Sequence, residues 1–128
     1  MIFLNKYLVR GRSKEERSAL SFDILKVYYF ILDENRWCKH AMARDINGEY
    51  VDSIFAPNVY SVCILGALYL MDCSEETFTY LEMCASIRKY DGLNKINDRN
   101  NHAYVIDFLK ICLDVLGVIP AKSLEVVK

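Results

Sequence analysis

The chain has 128 residues, the length of one ordinary domain, and its 53% hydrophobic content is ample for a core. Lys and Arg total 16 against 17 Asp and Glu, a formal net charge of -1, so the basic excess of a general nucleic-acid binder is missing. The 5 cysteines (Cys38, Cys63, Cys73, Cys84, Cys112) are odd in number and include no C-x-x-C pair. They read as reduced thiols in a cytoplasmic setting, used as small hydrophobes, and not as a disulfide framework.

The start is apolar for Met1 to Leu4 and meets Lys6 at once, so no signal peptide is expected. Residues 1–12 read as an extended arm or short strand. Basic residues gather at Lys6, Arg10, Arg12, Lys14 and Arg17, but Glu15 and Glu16 interrupt them, as on a solvated helix start. Ser13 and Glu16 have capping-box spacing, which begins a helix running to about Asp33. Leu20, Ile24, Val27, Tyr28 and Ile31 form its apolar stripe, widened by Tyr29 and Phe30.

Residues 37–56 change character. Asn47-Gly48 is a type I′ turn signal, and arms of roughly 42–46 and 49–53 are expected to pair across it as a small hairpin or turn-rich insertion. Pro57 suits the first position of a helix. The run from Pro57 to Met71 is apolar on every side, so a central helix over about 58–71 is expected to be the buried middle of the fold. Gly66, a weak helix former inside it, points to another backbone crossing close by. This run is shorter than the ~20 residues of a membrane span.

Ser74 starts a further helix, with Glu75 and Glu76 in the first turn and Phe78, Leu81 and Ala85 on its stripe; Asp91-Gly92 ends it. Residues 93–101 read as a polar connection with Ile96 turned inward. Asn101 caps the last helix, whose apolar face holds Val105, Phe108, Leu109, Cys112, Val115 and Leu116, and Gly117 ends it. Residues 118–128 read as a loose tail. The expected architecture is mainly α: one compact four-helix domain around the 58–71 helix.

Three segments taken together, W-C-K-H-A-M-A-R-D-I-N-G (37–48), V-C-I-L-G-A-L (62–68) and I-N-D (96–98), resemble a family of small bacterial and phage domains with no established activity. The resemblance spans about residues 24–116, and Ile96 departs from that family's usual Trp. It implies a shared fold and a phage or mobile-element setting.

No Gly-rich phosphate loop, H-E-x-x-H or G-x-S-x-G is present, and no cofactor is expected. Cys63, near a helix start, is a candidate nucleophile, with His40 or His102 as base and Asp98 or Asn97 as orienter. Burial inside an apolar helix argues against it. Cys38 and His40, two apart, with Asp45 and His102, offer only one close pair of metal ligands, so no metal site is assigned. Trp37, Asp45, Asn97 and Asp98 are candidate ligand- or partner-binding residues; turn geometry and core packing account for the same residues more simply. The 9 tyrosines exceed what a core this size can bury and hint at a protein interface without placing it. The leading expectation is a non-enzymatic interaction protein with a protein partner or a second copy as its target, for example a phage inhibitor of host defence. A small-molecule binding domain and a thiol enzyme on Cys63 are the alternatives.

Overall fold

The computed structural model describes residues 11–120, so the arm and tail expected over 1–12 and 118–128 lie almost wholly outside the described residues. The fold is mainly helical, as expected. Among the described residues its helices are α1 (Lys14–Ile31), α2 (Ile64–Leu70), α3 (Glu75–Ile87), α4 (Leu93–Arg99) and α5 (His102–Val115). A 3-10 turn (Glu34–Arg36) and two short antiparallel strands, β1 (Ala43–Arg44) and β2 (Ser61–Val62), lie between α1 and α2.

Helix α1 begins with the expected capping box. Ser13 Oγ accepts the Glu16 N–H at 3.0 Å, and Glu16 Oε1 accepts the Ser13 N–H at 3.1 Å. Its whole predicted stripe is buried. It packs on α2, α3 and α5, so one amphipathic face is shared by three neighbours. Helix α3 is capped by Ser74, and α5 by Asn101, whose Oδ1 accepts the Tyr104 N–H at 2.9 Å. α3 stops at Ile87, before Asp91-Gly92. Lys89 takes the left-handed conformation (φ 68°), and the Tyr90 N–H returns to the Ala85 carbonyl, a C-terminal lock usually given to glycine.

The central helix is shorter than expected. Residues 58–63 are not helical, Pro57 lies in an exposed loop, and α2 starts at Ile64. Val62 and Ser61 pair with Ala43 and Arg44, and a β-branched, aromatic run such as Val59-Tyr60 suits an extended backbone. The segment is still the middle of the fold: Val62, Cys63, Ile64, Gly66, Ala67 and Leu68 are all buried, while Tyr69 reaches solvent. A Cβ on Gly66 would overlap the Met42 carbonyl oxygen and press on Ile54 Cδ1 at 3.2 Å. The close approach inferred from Gly66 is therefore real, and the crossing backbone is the insertion.

Residues 93–99, expected to be a connection, form a helix, α4, additional to the four expected. Leu93, Ile96 and Asn97 are buried on its inner face, at i, i+3 and i+4. The hairpin is present but its turn differs. Asp45 and Glu49 pair, the Gly48 N–H bonds to the Asp45 carbonyl, and Gly48 alone has positive φ (82°). That is a turn ending in a glycine bulge, not a type I′ turn, which would need Asn47 left-handed as well.

Candidate functional site

The predicted polar residues converge where α4 meets the segment after α1, and Asn97 is the hub. Its side chain is fully buried. Oδ1 accepts the Trp37 indole N–H at 2.7 Å and the Ile64 N–H at 3.1 Å. Nδ2 donates to the Cys38 carbonyl and to Asp98 Oδ1, each at 3.0 Å. All the hydrogen-bonding positions of the amide are filled. One side chain thus ties α4, the 37–38 segment and the first turn of α2 together.

Asp98 extends this clasp outward. Its Oδ1 accepts the His40 backbone N–H at 3.0 Å, and its Oδ2 lies 3.8 Å from the exposed His40 ring. His40 is held in the left-handed region (φ 63°), a conformation uncommon for any non-glycine residue. The Asp98 bond offsets that cost. His102 packs against Trp37, with ring centroids 5.5 Å apart. Its Nε2 lies 2.7 Å from the Ile31 carbonyl, which can only accept, so Nε2 carries the proton. Asp45 is not part of the cluster: its Oδ1 accepts the Asn47 and Glu49 N–H groups and shapes the hairpin turn.

Cys63 is not inside a helix but caps one. Its sulfur accepts the Gly66 N–H at 3.3 Å, and burial pushes its thiol pKa up. Among the described residues no hydrogen bond joins it to His40 or His102. Cys38 is also buried, and burial raises its thiol likewise. Cys73 is half-buried, and burial with the nearby Asp23 carboxylate pushes it to about 11. Each raised pKa leaves a poorer nucleophile at neutral pH. Cys38, His40, Asp45 and His102 do not converge, and no group of three or more His, Cys, Asp or Glu among the described residues is placed to hold a metal.

The insertion between α1 and α2 presents a different surface. Among the described residues, the exposed large apolar side chains are Phe22, Met42, Ile46, Tyr50, Phe55, Tyr69 and Ile119, and Met42 to Phe55 fall in this one stretch. Ile46 and Phe55 are each 72% exposed and Tyr50 is 63% exposed. Arg44 and Tyr50 are bridged across the hairpin, so by alternation Met42, Arg44 and Tyr50 share its outer face. The stretch is braced by hydrogen bonds from side chains. Arg44 donates to the Gly48 and Lys39 carbonyls, each at 3.1 Å, and Ser53 Oγ accepts the Phe55 N–H at 3.2 Å. Sequence reasoning named none of Met42, Ile46 and Phe55. Their signal was the opposite of burial: large apolar residues beside a turn, in arms too irregular to have an inner face.

No family model matches this chain, and neither does a curated protein or a solved structure. Among the described residues no helix is long and apolar enough to cross a membrane.

Proposed function

We propose that the protein works by protein–protein contact, with the 42–56 insertion as its contact face. The observation that carries this is that Met42, Ile46, Tyr50 and Phe55 are all exposed within the one stretch 42–55. Large side chains held ready by a rigid backbone lose little freedom on binding, which is the usual character of interface anchors. The Trp37–Asn97–Asp98 cluster supports the reading from the other side, because the polar groups of Asn97 are spent on the fold. In line with the bacterial and phage resemblance, the partner is taken to be a host protein met in the cytoplasm.

The test is capture from a bacterial host lysate with the wild type and with a triple variant, Ile46→Ser, Tyr50→Ser and Phe55→Ser. All three residues are exposed, so the variant should keep its helix content and Tm to within about 2 °C. Specific partners identified by mass spectrometry should vanish with the variant. A partner retained equally by both proteins would overturn the placement of the face.

A further inference from the structure

Arg36 is a side chain that neither the core nor the exposed apolar stretch absorbs. It ends the 3-10 turn after α1 and is half-buried. The rings of Phe30 and Tyr60 flank its guanidinium, with centroids 4.8 and 4.5 Å from the central carbon. Its Nε–H donates to the Tyr60 carbonyl at 2.6 Å. Two rings and a hydrogen bond fix both the plane and the rotation of the group, so its fork is set before anything binds. Among the described residues no carboxylate lies within ion-pair distance of it, and no acceptor meets its two terminal nitrogens. The terminal nitrogens are not sealed from solvent, so the fork is open to an incoming acceptor.

We propose that Arg36 is the anchor for an aspartate or glutamate side chain of the partner protein, gripped fork to fork by its two terminal nitrogens. This rests on the insertion being a contact face. Tyr60 links the two, since it clamps Arg36 with its ring and carbonyl while its N–H bonds to the Arg44 carbonyl of β1 at 2.8 Å. A carboxylate is the matching anion because Arg36 presents one charge and one planar pair of donors. The partner motif is thus an acidic residue beside an apolar one.

The probes are a blocked Asp-Phe dipeptide, its Asn-Phe counterpart and inorganic phosphate, titrated into the full chain. Arginine-detected NMR reads Arg36 Nε–Hε, and backbone amides read Tyr50 and Phe55. Asp-Phe should shift Arg36 saturably in the millimolar range, Asn-Phe should not, and phosphate should be at least about tenfold weaker. Arg36→Lys should weaken Asp-Phe binding about tenfold while keeping the charge. Equal shifts from Asp-Phe and Asn-Phe, or phosphate binding as tightly as Asp-Phe, would overturn the carboxylate site. So would an unmoved Arg36 resonance. Movement at Tyr50 and Phe55 in that last case would leave the contact face standing, whereas an Arg36 shift with partner capture unchanged in the triple variant would overturn the face instead.

Discussion

Gly66→Ala tests the architecture with a single methyl group. On an open helix position this change stabilises by up to roughly 1 kcal/mol, because alanine loses less backbone freedom than glycine. Here the new Cβ would overlap the Met42 carbonyl oxygen, with the Met42 carbonyl carbon and Ile54 Cδ1 both at 3.2 Å. A carbonyl cannot rotate aside as a side chain can. This one also accepts the Cys63 N–H at 3.2 Å, so moving it loosens the pairing of β1 with the residue that caps α2. Overpacking of this kind costs about 1–3 kcal/mol, and a weakened backbone hydrogen bond adds about 1 kcal/mol. Set against the propensity gain, the net cost is about 1–3 kcal/mol. For a domain of this length that lowers Tm by about 4–12 °C. Differential scanning calorimetry reads the sign directly. An unchanged or raised Tm would refute the close approach, and with it the placement of the insertion across α2.

Further outcomes follow from the same contacts. Asn97→Ala strands the Trp37 indole N–H, the Ile64 N–H and the Cys38 carbonyl, and should cost about 2–4 kcal/mol in urea unfolding; native Trp37 fluorescence unchanged alongside full stability would contradict the clasp. In the native protein at pH 8, a thiol probe should leave Cys38, Cys63, Cys84 and Cys112 unmodified until denaturant is added. Cys73 should label first but slowly, since a pKa of about 11 leaves about one thiolate in a thousand at that pH. Rapid native labelling of Cys63 would revive the thiol-enzyme alternative. Asp23 gives a pH test. Burial acts to raise its carboxyl, but the Ser74 N–H, the Thr77 hydroxyl and Lys26 outweigh it and hold the carboxyl below the ordinary 3.8. A depressed folded pKa contributes stability that is complete above that ordinary value and lost as pH falls through the folded one. The stability gap between wild type and Asp23→Asn should therefore be constant from pH 7 to about 5 and shrink below about 4; a gap independent of pH down to 2 would show that the carboxylate charge is irrelevant.

Much of the fold was legible because it depends on local chemistry. Ser13, Ser74 and Asn101 cap where their side-chain oxygens predict, and the stripes of α1 and, except for the half-buried Leu116, of α5 are buried. Gly66 told of a crossing backbone without telling which. What failed was the boundary at Cys63, since a wholly apolar run has no periodicity to separate strand from helix and only the pairing with β1 decides it. The helix over Leu93–Arg99 was hidden for the reverse reason. Its only inward residues are Leu93, Ile96 and a polar one, Asn97, whose burial makes sense once Trp37 and Cys38 arrive from 60 and 59 positions away. The same distance explains why the candidate site read ambiguously. Of the four residues singled out, Trp37, Asn97 and Asp98 come together and Asp45 does not, but whether an amide faces a ligand or four fixed partners is set by tertiary contacts. The exposed residues of the insertion had only the weak signal of large apolar side chains beside a turn, because solvent-facing apolar residues obey no period.

Contact through the insertion is most directly tested by a photo-crosslinking amino acid placed singly at Tyr50, at Phe55 and, as a control on the opposite kind of surface, at the exposed α5 position Asp107. In host cells, illumination should yield a discrete, partner-sized adduct from positions 50 and 55 and none from 107. An adduct formed from 107 alone would place the working face on the helices and contradict the account.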